Sequence, residues 1–152
     1  MNPSLLEILR VIAALGCGLM AGIFFAFSNF VMQALAEQLH PNGVRAMQAV
    51  NRRVLNLGFM LVFMGTALLC LVLLGVAWWQ SIVHSAYVVS GALLYLLGVF
   101  GITAAGNVPL NEQLAKSEAE PFWREYLQRW LLWNHLRTVA AGLAMLCFVL
   151  AR

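Results

Sequence analysis

Within five consecutive positions of an otherwise apolar stretch stand Asn134, His135, Arg137 and Thr138. On a helix turning about 100° per residue they occupy roughly 160° of the circumference. An imidazole titrates near neutrality and can move a proton. A guanidinium stays charged and presents a rigid fork of N–H donors that suits an oxyanion. His135 and Arg137 are therefore the candidates for a chemical role. Each has a plainer reading. His135 could be a buried histidine bonded to a backbone carbonyl. Arg137, one to two turns inside its apolar tract, could extend to the membrane interface. An arginine inside a span costs about 2.5–3.5 kcal/mol on the insertion scale, which calls for partners or a task.

The other polar residues of the apolar tracts gather at the same end. They are Ser28, Asn29 and Gln33, then Asn51 and Asn56, then Thr103, Asn107 and Asn111. One polar pocket at that end is the economical inference. The alternative is that asparagines cap helix ends and join membrane helices by hydrogen bonds. The group Phe24, Phe25, Phe27, Phe59 and Phe63 is either packing or the wall for a flat aromatic guest.

The elements that must position these residues follow from composition. Apolar residues make up 62% of the 152 residues and charged residues 10%, against roughly 45–50% and 25% in soluble domains. So few charges cannot cover a soluble domain of this size. Four tracts, Val11–Leu35, Val54–Trp79, Ile82–Ala105 and Leu131–Leu150, each reach the roughly 20 residues of a helical span. Backbone groups in lipid must be satisfied internally, so the tracts are helices. The expected fold is an all-α integral membrane four-helix bundle, one domain over residues 1–152, with both long loops on one side. Pro3, Pro41, Pro109 and Pro121 lie outside the tracts. Gln80-Ser81 reads as a tight turn between spans two and three. Val44–Arg53 reads as an outward extension of span two. Pro109 is expected to stop span three and Asn111 to cap a short turn. Glu120-Pro121 reads as the start of a helix running into span four.

The long loops carry Arg45, Arg52, Arg53, Lys116, Arg124 and Arg129; the opposite side carries Arg10 and Arg152. This asymmetry places the long loops in the cytoplasm and both termini outside the cell (inner) membrane. Trp78 and Trp79 are then expected at the outer interface, and Trp123, Trp130 and Trp133 at the inner one. The N-terminal apolar run is too long for a signal-peptide core and reads as a retained span. Gly18 and Gly22 form a GxxxG pair, open to packing within the chain or to a homo-oligomer. Gly58 and Gly65, and Gly91 and Gly98, are expected to let the spans approach. Cys17, Cys70 and Cys147 are expected to be buried, unpaired apolar residues. Spans one and three each end in asparagine and spans two and four each open on asparagine and arginine, a weak internal echo.

The spans contain no aspartate or glutamate. A two-histidine, one-carboxylate iron site cannot be built from span residues alone, and a carboxylate relay for pumping has no residues to use. There is no CxxC, no HExxH and no glycine-rich phosphate loop, and the scattered basic residues make no nucleic-acid surface. A haem with His135 as axial ligand stays open. Glu37, Glu112 or Glu125 could fold back over the pocket from the loops.

The strings Phe25-Ala26-Phe27-Ser28-Asn29-Phe30-Val31-Met32, Ala46-Met47-Gln48-Ala49-Val50-Asn51, Asn107-Val108-Pro109-Leu110-Asn111 and Trp133-Asn134-His135-Leu136-Arg137-Thr138 resemble the anthrone oxygenase-like family of small integral membrane proteins. The resemblance covers nearly the whole chain in order. It implies oxidation of polyketide anthrones to anthraquinones by O2. It also implies that Asn29, Asn51, Asn107, Asn111, Trp133, Asn134, His135, Arg137 and Thr138 are signature positions. For such a substrate His135 would be the base, Arg137 and the asparagines would hold the anion, and Trp130 and Trp133 would flank the rings. Asn29, Asn51, Asn107, Asn111, Trp130, Trp133, Asn134 and Thr138 are thus the substrate-binding candidates, with no cofactor or metal required. The partners expected are the lipid bilayer and a hydrophobic aromatic molecule. Two readings stand beside this one: a non-enzymatic membrane protein binding a quinone-like ligand, a lipid or a membrane partner, and a haem- or quinone-using redox protein.

Overall fold

The computed structural model describes residues 3–80, 85–117 and 119–151. Among these residues helices are the only regular secondary structure, with no strand. Four helices are long and apolar enough to cross a membrane: span one, Ser4–Ala36; span two, Leu57–Trp79; span three, Ala86–Lys116; and span four, Glu120–Leu150. A fifth, amphipathic helix, Asn42–Arg53, lies in the first long loop. Large apolar side chains cover the outside of the bundle, among them Leu15, Leu19, Leu61, Leu68, Leu97 and Val139. An outer surface of that kind is stable only in lipid. The protein is an integral membrane protein built as an all-α bundle.

Several boundaries differ from those read from the sequence. The loop helix does not extend span two. Asn56 ends one helix and starts the other: its Nδ2 donates to the Arg53 carbonyl at 2.9 Å and its Oδ1 accepts the Phe59 N–H at 3.0 Å. Those bonds satisfy a stranded carbonyl and a stranded N–H at adjoining helix ends. Pro109 does not stop span three, which continues to Lys116. A π-helical segment, Thr103–Asn107, precedes Val108–Lys116, and the proline sits in the first turn of the latter. Its missing N–H is harmless there. Asn111 therefore lies within a helix and caps nothing. Two more π-helical segments interrupt the spans, Phe27–Val31 in span one and Leu94–Gly101 in span three. Span four does run unbroken from Glu120, after an extended Ala119 at ψ 130°. The Gln80-Ser81 turn and His84 reach into residues outside the described ones.

Two apolar clusters hold the bundle. The first joins all four spans and combines Cys17, Met20 and Phe24 of span one with Phe63 and Cys70 of span two, Tyr95 and Val99 of span three, and Ala141 and Ala144 of span four. Its small residues let backbones approach, as expected where lipid provides no hydrophobic drive. A Cβ on Gly98 would stand 2.5 Å from that of Ala140, and one on Gly18 2.9 Å from the Met145 sulfur. Gly22 and Gly65 face open space, and Gly58 has only Asn56 nearby. Among the two pairs spaced by seven, only Gly91 and Gly98 serve close packing between helices. Gly22 and Gly18 line a groove between spans one and four, together with Glu7 and Arg10. The second cluster joins Val44 and Met47 of the loop helix to Leu110 and Leu114 of span three and Trp123, Tyr126 and Trp130 of span four. The loop helix and the adjoining ends of spans three and four thus meet at one end. This cluster also corrects an expectation. Trp123 and Trp130 are buried there, each 5% exposed, and so pack on protein and do not reach out as interfacial anchors. Trp78 and Trp79, by contrast, are fully exposed at the far end of span two.

Candidate functional site

Asn134 organises the polar end of the bundle. It is completely buried. Its Nδ2 donates to the Phe24 carbonyl at 2.7 Å and to Ser28 Oγ at 2.8 Å. Its Oδ1 accepts from Arg137 NH2 at 2.6 Å. Ser28 belongs to the π-helical segment of span one. Behind Asn134, the Thr138 hydroxyl donates to the Asn134 carbonyl at 2.8 Å and lies 3.4 Å from Ser28 Oγ. One amide therefore ties span one to span four and aims the guanidinium.

Arg137 is 6% exposed. Its NH1 donates to Thr103 Oγ1 at 3.0 Å, and that hydroxyl donates onward to the Val99 carbonyl at 2.7 Å. Its guanidinium carbon lies 4.2 Å from the centre of the Phe24 ring and 5.5 Å from that of Trp130. Aromatic faces stabilise a cation without neutralising it. Arg137 forms no salt bridge among the described residues, and its Nε is buried without a partner. It does not snorkel. A buried charge with no counter-charge among the described residues is expensive.

A cavity of about 500 Å³ opens beside it, within the range of small-molecule sites. Phe24, Phe27, Phe59, Phe63 and Trp130 contribute rings to its wall, and Asn51, Asn107, Asn111, Asn134 and Arg137 contribute polar groups. Asn111 Oδ1 accepts from Tyr126 Oη at 2.8 Å and Trp130 Nε1 at 2.9 Å. Asn107 Nδ2 donates to the Trp130 carbonyl at 3.2 Å. Asn107 Oδ1 and Asn51 Nδ2 are buried with no partner. Buried polar atoms in proteins are nearly always satisfied. The wall thus offers one unmatched acceptor and two unmatched donors, counting Arg137 Nε, as a polar ligand would require.

Of the ten candidates read from the sequence, the structure brings six to this cavity: Asn51, Asn107, Asn111, Trp130, Asn134 and Arg137. Four lie elsewhere. Asn29 is exposed on span one. Trp133 packs on Gly106, where a Cβ would meet its ring at 2.8 Å. Thr138 supports Asn134 from behind. His135 is exposed on the outward side of span four and does not line the cavity. The helix fixes this: Asn134 and Arg137 both point inward, and His135 is turned about 100° from one and 160° from the other. An outward imidazole is misplaced both as a base for this cavity and as a haem ligand within it. Among the described residues no three His, Cys or Glu converge to hold a metal ion. Tyr126 was missed as a site residue. Its signal was its spacing, one helical turn before Trp130. Of the loop carboxylates, Glu112 lines the cavity, whereas Glu125 pairs with Arg129 on the helix surface at 2.7 Å and Glu37 is exposed away from it.

The sequence profile of the family described as Anthrone oxygenase matches residues 59–147. The match spans Thr103, Asn107, Asn111, Trp130, Asn134 and Arg137; Phe24, Ser28 and Asn51 precede it. No curated protein and no solved structure matches the chain. With more than half of its length matched, the chain belongs to the anthrone oxygenase family.

Proposed function

We propose that the protein is a membrane-embedded oxygenase that oxidises a flat, phenolic polycyclic ketone of the anthrone type with O2. The observation that carries this reading is Arg137, a buried cation without a carboxylate partner among the described residues, set in an aromatic-walled cavity with unmatched polar atoms. Family membership supports the reaction class. An anthrone carries an acidic ring CH2 opposite its carbonyl. Loss of one proton gives an electron-rich anion with its charge on the carbonyl oxygen, where Arg137 and Asn51 would donate. That anion can pass one electron to O2, and the two radicals combine to a carbon-bound peroxide. Protonation and loss of water then leave the new carbonyl. The balance is one CH2 and one O2 to one C=O and one H2O. Stabilising the anion with preset donors in a dry site is the main catalytic means available. Asn107 Oδ1 would accept a phenolic hydroxyl. The distribution of Lys and Arg supports a cytoplasmic position for the long-loop end, in the cell membrane.

The test is turnover by purified protein in lipid nanodiscs supplied with anthrone and air. Anthraquinone should form faster than in empty discs, with one O2 consumed per anthrone. Arg137→Gln should lower the enzymatic rate about 10²–10³-fold. A rate equal to that of empty discs would leave the cavity as a binding site without chemistry.

A further inference from the structure

Removing a carbon-bound proton needs a base, and the outward face of His135 leaves that position vacant. The chain has six acidic residues and three histidines. Glu7 lines the groove between spans one and four, remote from Arg137. Glu120 and Glu125 are held by Arg124 and Arg129, each one turn along the helix surface. Glu37 and His40 are exposed and line no part of the cavity. Glu118 and His84 lie outside the described residues. Glu112 alone among the described carboxylates and imidazoles lines the cavity that holds Arg137.

Resting on the oxygenase reading, we propose that the Glu112 carboxylate is the base that takes the substrate's carbon-bound proton. Glu112 follows Asn111, whose side chain is fixed by Tyr126 and Trp130, on the helical segment that starts at Val108. It is exposed and yet lines the cavity, so it stands at the rim, with Arg52 of the loop helix also at that rim. Arg137 lies buried in the wall. The two groups therefore address different parts of one guest. A flat ketone with its oxygen on Arg137 and its CH2 toward the rim presents the acidic proton to Glu112. The C–H bond breaks, its electron pair stays on the substrate as the enolate, and the proton goes to a Glu112 oxygen. The same carboxylic acid can return that proton to the peroxide anion or release it to the water at the rim.

The experiment compares wild type, Glu112→Gln, Glu112→Asp and Arg137→Gln in nanodiscs, with anthrone and its 10,10-dideuterated form as substrates and anthraquinone as the bound ligand. Glu112→Gln should lower kcat about 100-fold or more, the usual contribution of a positioned base. Anthraquinone binding, read by tryptophan quenching, should stay within about twofold, because the lost interaction belongs to the transition state. The isotope effect should rise in Glu112→Gln, the acid limb of the pH–rate profile should vanish, and Glu112→Asp should recover part of the rate. A Glu112→Gln variant as fast as wild type, or one whose loss is matched by lost anthraquinone binding, overturns the assignment and leaves the oxygenase reading intact. Wild type no faster than empty discs overturns both.

Discussion

Arg137 and Asn134 act as one unit, because the amide oxygen that orients the guanidinium belongs to the same side chain that holds Phe24 and Ser28. Asn134→Leu removes all three bonds and strands the Arg137 fork. It should lower stability by about 1–3 kcal/mol, the range for leaving buried polar groups unsatisfied, as read by denaturant titration in mild detergent. Arg137→Lys keeps the charge and loses the fork, so Asn134 and Thr103 cannot both be reached. Turnover should then fall, and Arg137→Gln should lower it further, by about 10²–10³-fold, the usual effect of removing an oxyanion donor. His135→Phe is the contrasting case. The side chain is exposed on the outer face of span four, so the change should alter stability by less than about 0.5 kcal/mol and leave turnover intact. Loss of turnover in this variant would return the imidazole to the mechanism.

At the scale of elements, the site depends on how closely span four can approach span three. Gly98 faces Ala140 and Gly106 faces the Trp133 ring, both at distances that admit no Cβ without a shift. Gly98→Leu and Gly106→Leu should each destabilise by about 1–3 kcal/mol through overpacking. They should also weaken ligand binding, because Thr103 and Asn107 ride on the same span. Gly65 faces open space on span two, and Gly65→Ala should be neutral or gain up to about 1 kcal/mol from helix propensity. Melting temperatures of the three variants in one detergent decide the matter. The π-helical segments Phe27–Val31 and Thr103–Asn107 carry Ser28 and Asn107. A widened turn rotates the residues beyond it relative to those before it, which is one way to aim polar groups from two spans at one point.

For the whole molecule, the loop helix and the adjoining ends of spans three and four meet in one apolar cluster, so the two connections share a side of the membrane. Their basic residues predict that this side is the cytoplasm. A cysteine placed at exposed Gln38 should react with a membrane-impermeant maleimide in inside-out vesicles and not in intact cells. The reverse pattern would invert the orientation and move the mouth of the cavity to the other face.

The sequence by itself determined that the chain lives in lipid, crosses it four times as helices, and collects its polar side chains at one end. Those properties are local: they follow from apolar run length, from charge content and from the backbone's need for internal hydrogen bonds. It also singled out Arg137 and Asn134, because a charge and an amide inside an apolar tract demand an explanation. Rotation was not legible. Asn29, His135 and Arg137 look equally poised in the sequence, yet two face outward and one faces the cavity. The helix propagates phase along itself, but its phase relative to its neighbours is set by Gly98 on Ala140, Gly106 on Trp133 and the π-helical turns, all contacts or irregularities beyond a repeating pattern. Glu112 joined the cavity for the same reason. Pro109 looked like an end, and only the preceding π turn lets the helix continue through it and carry Glu112 to the rim.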